Sequence, residues 1–318
     1  MGSPNKKAST YLWTTDKYAW IALLFLWGTY SYLTFQTPSG QAIAKYQISL
    51  YQITLLKFSI IVPVSFIWAA ILYSSLKLYT YSETIISSGD GQGFRQIAHG
   101  VFFFLVASIV SSFITLGAQF YPNNLELAKY VTILNNYVMV IFSFVSFYFI
   151  WLGSKKLLQM INAEKKAKKQ NIVMGIIATL LSIPYIYLVI QNPLRSISTN
   201  PQINSTYSLP DVLIFPTIVL PYVLCWFLGL LALKNMSIFG KETKGIFYKN
   251  ALKKFYYGFW IIIVLAITLQ YLTQFSLFFS NATLSVILFI IYLILLVDIV
   301  GFILMAIGAN NLSKIETS

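Results

Sequence analysis

Eight long runs of apolar residues, separated by short polar stretches, make up most of the chain: roughly 18–35, 53–76, 99–120, 131–153, 172–190, 212–233, 255–279 and 285–308. Bilayer hydrocarbon is about 30 Å thick and an α-helix rises 1.5 Å per residue, so about 20 apolar residues span it. Each run is near that length and apolar on all sides. A barrel strand would instead alternate polarity over about ten residues. The pattern predicts an all-α polytopic membrane protein with eight transmembrane helices and no soluble domain of useful size.

The polar punctuation of these runs recurs. Tyr30, Tyr32, Leu33, Gln36 and Pro38 close the first run, and Tyr185, Tyr187, Leu188, Gln191 and Pro193 close the fifth, a constant 155 residues later. Pro63 and Trp68 of the second run fall on Pro221 and Trp226 of the sixth at an offset of 158, as do Gly100 on Gly258 and Thr115 on Thr273. In the fourth and eighth runs the offset returns to 155, which sets Gly153 on Gly308 and Tyr137 on Tyr292. Apolar segments resemble one another by composition alone, but these matches include Gln, Pro, Gly and Trp at constant offsets. They predict two tandem four-helix membrane repeats, residues 1–160 and 161–318, with the lysine-rich stretch from Asn162 to Gln170 as linker. Four spans per repeat make the two enter the membrane in the same direction, so they are parallel repeats related by an axis along the membrane normal.

Charge adds an orientation. The net charge is +13, and of the 22 Lys and Arg, 18 fall on one side of the eight runs and three on the other, with Lys57 inside a run. Cytoplasmic loops carry this excess, so both termini are expected to be cytoplasmic. The lysine clusters 165–169 and 241–254 then lie against anionic lipid headgroups rather than nucleic acid. The first run carries Trp20 and Trp27 and is long for a cleavable leader, so it reads as a retained anchor despite Ala42-Ile43-Ala44 after it. The Lys-for-Arg bias suggests an AT-rich genome, and the absence of ectodomains suits a bacterial inner membrane.

Candidate chemistry is sparse. Asp298 lies about 13 residues into the last run, where an Asp costs roughly 2.5–3.5 kcal/mol and faces a bundle interior or water. Its repeat partner is Ser143. Gln270 in the seventh run and Ser143 and Ser146 in the fourth lie at similar depth, while Ser112 in the third run and Thr273 in the seventh belong to polar helix faces related by the repeat offset. They form with Asp298 a candidate polar lining, or else serve only as packing hydrogen bonds. Pro63, Pro184, Pro216 and Pro221 each remove a backbone donor inside an apolar run and are candidate helix breaks. Lys57 sits near the outer end of its run, from which its amine can snorkel. Gly89-Asp90-Gly91-Gln92-Gly93 lacks the Lys-Ser/Thr of a nucleotide loop and reads as a flexible turn. One cysteine, Cys225, excludes an intrachain disulfide, and one histidine, His99, excludes a bis-histidine haem within the chain; no metal or cofactor is expected.

Three function classes follow. Asp298, the polar positions and the prolines suit a carrier or pore with its pathway between the repeats. Short loops and few intramembrane charges suit a non-transporting scaffold that binds a membrane-protein partner. An intramembrane enzyme ranks third, because the nine acids are scattered and only two arginines are present.

Overall fold

The computed structural model describes residues 6–37, 50–85, 90–120, 125–191, 220–243, 246–276 and 284–314, and these residues form eight α-helices and no strand. They are α1 (Lys6–Gln36), α2 (Leu50–Thr84), α3 (Asp90–Phe120), α4 (Leu125–Met160), α5 (Glu164–Gln191), α6 (Leu220–Glu242), α7 (Ile246–Ser276) and α8 (Leu284–Lys314). Six of them, α2 to α6 and α8, are long and apolar enough within the described residues to cross a membrane. The chain is therefore an integral, multi-pass membrane protein. Trp20, Trp27, Tyr30 and Tyr32 dilute the hydropathy of α1, and α7 opens on Lys249, Lys253 and Lys254.

The helices overrun the apolar runs at the lysine-rich end. α2 continues to Thr84 and α4 to Met160, while α3 already starts at Asp90 and α5 at Glu164. Hydropathy misses these turns because their outer faces are polar, yet their inner faces pack: Leu78, Phe94, Leu157, Phe239, Leu252 and Leu312 are all buried. The main core thus lies at that end. Two sequence expectations change as a result. Residues 90–93 are the first turn of α3 and not a flexible turn, and most of the expected linker 162–170 is helical. The α4–α5 connection needs only a Schellman turn, with Asn162 at φ 53°, Ala163 N–H donating to Leu158 O at 3.1 Å and Asn162 N–H to Gln159 O at 3.1 Å.

Within the first four helices, α1 packs on α2 and α3, α2 on α3, and α3 on α4. Within the last four, α5 packs on α6 and α7, α6 on α7, and α7 on α8. The two sets meet where α2 lies against α8 and α4 against α6. The α3–α4 crossing depends on glycine: a Cβ at Gly100 would stand 2.7 Å from Ser146 O, and one at Gly153 2.5 Å from Gly93 O. The α7–α8 crossing is equally close, since a Cβ at Gly258 would stand 2.6 Å from Met305 N and one at Gly308 would strike Phe255 N. Side chains this small let backbones touch, which replaces the missing hydrophobic drive between helices in lipid. The rings of Tyr30 and Trp68 meet at 5.5 Å and join α1 to α2, and those of Tyr185 and Trp226 meet at 4.9 Å and join α5 to α6.

Candidate functional site

Asp298 sits on α8 at the upper edge of the packed core. Leu296, Val300, Ile303 and Ile307, at i, i+4, i+7 and i+11, form the exposed stripe of this helix. Asp298 shares the opposite face with Phe302, Met305 and Ala309, which follow it at the same spacing and are buried at 6%, 0% and 0% exposure. Its side chain therefore faces the bundle, yet it is only half-buried. Among the residues whose side chains are described, none hydrogen-bonds or ion-pairs with it. Below it the bundle is closed, with Phe147 of α4 and Phe259 of α7 in ring contact at 6.4 Å.

The helix beside Asp298 is α2. Tyr292 O–H donates to Ser59 Oγ, which itself donates to Leu56 O, and Tyr73 O–H donates to Asn310 Oδ1 at 2.8 Å. Residue numbers rise together along the two ties, so α2 and α8 run the same way. Interpolating between them sets Asp298 level with Pro63 and Val64. Pro63 has no N–H, so the Ser59 carbonyl lacks its helical partner. Ser59, Pro63 and Tyr73 fall at i, i+4 and i+14, the stripe of α2 that meets α8.

The α4–α6 contact carries its own tie. Asn235, 1% exposed, donates from Nδ2 to Ser154 Oγ at 3.1 Å, and its Oδ1 is left without a described partner. α4 and α6 also run the same way, since Phe147 lies by Gly229 and Ser154 by Asn235.

The described polar positions named from the sequence have partners or places of their own. Ser146 is fully buried and donates to Gly100 O of α3 at 2.6 Å, a packing bond within the first four helices. Ser112 donates to Ser108 O of its own helix at 2.8 Å. Ser143 is half-buried on the face of α4 that also carries Ser146 and Phe147. Gln270 and Thr273 lie within α7, but their side chains fall outside the described residues. α2 and α5 continue unbroken through Pro63 and Pro184, so neither proline ends its helix, and Pro184 faces outward. Pro221 is the second residue of α6, and Pro216 lies outside the described residues.

Lys57 does not reach Asp298. Its Nζ donates to Thr37 O at 3.0 Å and Phe35 O at 3.4 Å, capping the free carbonyls at the end of α1. Its hydrogen-bond partners are thus carbonyls at the neighbouring helix end. Ser59, Tyr292, Tyr73, Asn310 and Asn235 were missed as contact residues. The available signal was weak: Tyr292 and Tyr137 share a repeat offset, but nothing in the sequence identifies which helix each faces.

Asp16 on α1 is held above its ordinary carboxylate range by burial, offset in part by Lys77 of α2. Glu83 pairs with Arg95 at 3.6 Å at the lysine-rich end. Among the described residues no three His, Cys, Asp or Glu side chains are close enough to share a metal ion. No protein-family model, curated protein or solved structure matches the chain.

Proposed function

We propose that the chain is a membrane carrier or pore made of two like-facing four-helix units, 1–160 and 161–318, with eight spans, both termini cytoplasmic and the pathway between the units. The observation that carries this reading is Asp298. It faces the bundle, retains exposure there and lies directly above a closed layer containing Phe302, Phe147 and Phe259. An unpaired carboxylate is costly in a membrane interior unless water or a ligand reaches it. This supports a pathway that reaches Asp298 from the outer side and is shut at the lysine-rich side.

The two-unit part rests on the helix neighbours. Adding four to each helix number within the first set of contacts reproduces the second, and the same operation exchanges α4–α6 with α8–α2. The repeat offsets carry Gly100 against Ser146 and Ile150 onto Gly258 against Gly301 and Met305, and Gly153 against Ile97 onto Gly308 against Phe255. They also carry the Tyr30–Trp68 ring pair onto Tyr185–Trp226. Such a match supports an axis along the membrane normal. The lysine-rich ends of both units then face the cytoplasm and its anionic headgroups.

A scaffold reading is favoured by one observation, the tight α4–α6 and α2–α8 contacts with their side-chain ties. Solvent access separates the two readings. In Asp298→Cys, a small charged thiol reagent added from outside is expected to modify position 298 in reconstituted protein, while buried Cys225 does not react. Asp298→Asn is expected to stay folded and to lose solute flux. A cysteine at 298 that resists the reagent would favour the scaffold.

A further inference from the structure

We infer that the α2–α8 contact holds a small monovalent cation between the Asp298 carboxylate and the backbone carbonyl of Ser59. This inference rests on the carrier reading, which gives Asp298 an open interior space.

Three observations meet at this level of the bundle. Asp298 faces inward and has no described partner. Pro63 deprives the Ser59 carbonyl of its helical donor, on the stripe of α2 that meets α8. The one cation in this part of α2, Lys57, is already held by the carbonyls of Phe35 and Thr37. Among the described residues, the two groups left over at this level are both oxygen acceptors. A hydrogen-bond donor could serve one of them, but the hydroxyls of Ser59, Ser65 and Tyr292 are committed to Leu56 O, Val62 O and Ser59 Oγ.

The charge decides the ligand class. One carboxylate plus neutral oxygens carries a net charge of −1, which a monovalent ion cancels. A divalent ion would leave an uncompensated charge in a low-dielectric interior, and hard divalent cations take more oxygen ligands, usually with several carboxylates. Carbonyls freed in membrane helices are suited to coordinating sodium-like ions. The site spans a contact between the two four-helix sets, so an ion there would link them directly.

Thermal unfolding of purified protein in detergent tests this with Na⁺, Li⁺ or K⁺ against choline at equal ionic strength. Binding to the folded state alone raises the midpoint, on the order of 5 °C once the ion is well above its dissociation constant. One of the three ions is expected to give that rise. Asp298→Asn should abolish it, and so should Pro63→Ala, which returns an N–H to Ser59 and is not expected to destabilise the helix. If no ion raises the midpoint, or if Pro63→Ala keeps the full rise, the site is wrong. The carrier reading fails separately, by a position 298 closed to the thiol reagent, so a reactive Asp298→Cys without any ion effect would remove only the cation.

Discussion

Gly308→Leu is expected to abolish the folded protein, and Gly308→Ala to destabilise it by about 3 kcal/mol, the upper end of the cost of overpacking a filled contact. The Cβ would fall on the backbone of Phe255, with N, Cα and Cβ of that residue all within contact. Backbone cannot swing aside as a side chain can, so α7 and α8 must separate. Gly258 faces the same crossing from the other helix, against Gly301 O and Met305 N. Gly258→Ala should therefore cost a similar amount, and the two together less than their sum, because the first already opens the contact. Gly28→Ala is the control. Nothing lies within 4 Å of a Cβ there, and the change should leave stability unchanged or raise it by up to about 1 kcal/mol through helix propensity. Thermal unfolding in detergent measures these changes.

Trp68→Ala is expected to cost about 3 kcal/mol, at the low end for a large buried aromatic because lipid solvates the separated helices well. Trp68 has no exposed surface, meets Tyr30 at 5.5 Å and donates Nε1–H to Ser108 Oγ at 2.9 Å. It thereby holds α1 and α3 to α2 at once. Since α1 has no helix neighbours beyond α2 and α3 among the stronger contacts, its loss should appear first as faster proteolysis and hydrogen exchange of α1. Trp68→Phe keeps most of the ring and should cost about 1 kcal/mol, the worth of the hydrogen bond. A Trp68→Ala protein with α1 as protected as before would show that the helix is held by other contacts.

Much of the helical layout was legible because a lipid-facing helix declares itself by uninterrupted hydrophobicity. The lysine-rich ends were not. There, half of each turn is polar, and the buried half of α3's first turns (Phe94, Ile97, Ala98) is too short a pattern to separate from a loop containing Gly91 and Gly93. Gly93 reads as a turn residue by composition, but its role is close approach to Leu157 and Gly153. The inward direction of Asp298 followed from the cost of its charge, whereas its partial exposure needed coordinates. Ser112 was named from a polar stripe on its helix and Ser146 from its depth. Neither signal tells which group a hydroxyl meets, and each spends its hydroxyl on a carbonyl, within its own helix for Ser112 and on the neighbour for Ser146. Lys57 shows the same limit: its partner at the end of α1 is twenty residues away in sequence and carries no signal in the chain.

Single cysteines at repeat-related positions at each end of the bundle test the two-unit arrangement directly. Tyr32 and Tyr187 are exposed at one end, and Gln159 and Lys314 at the other. With a membrane-impermeant maleimide on intact cells, Tyr32→Cys and Tyr187→Cys are both expected to label. Gln159→Cys and Lys314→Cys are both expected to label only after permeabilisation. Labelling that splits either pair between the two sides of the membrane would contradict two units facing the same way.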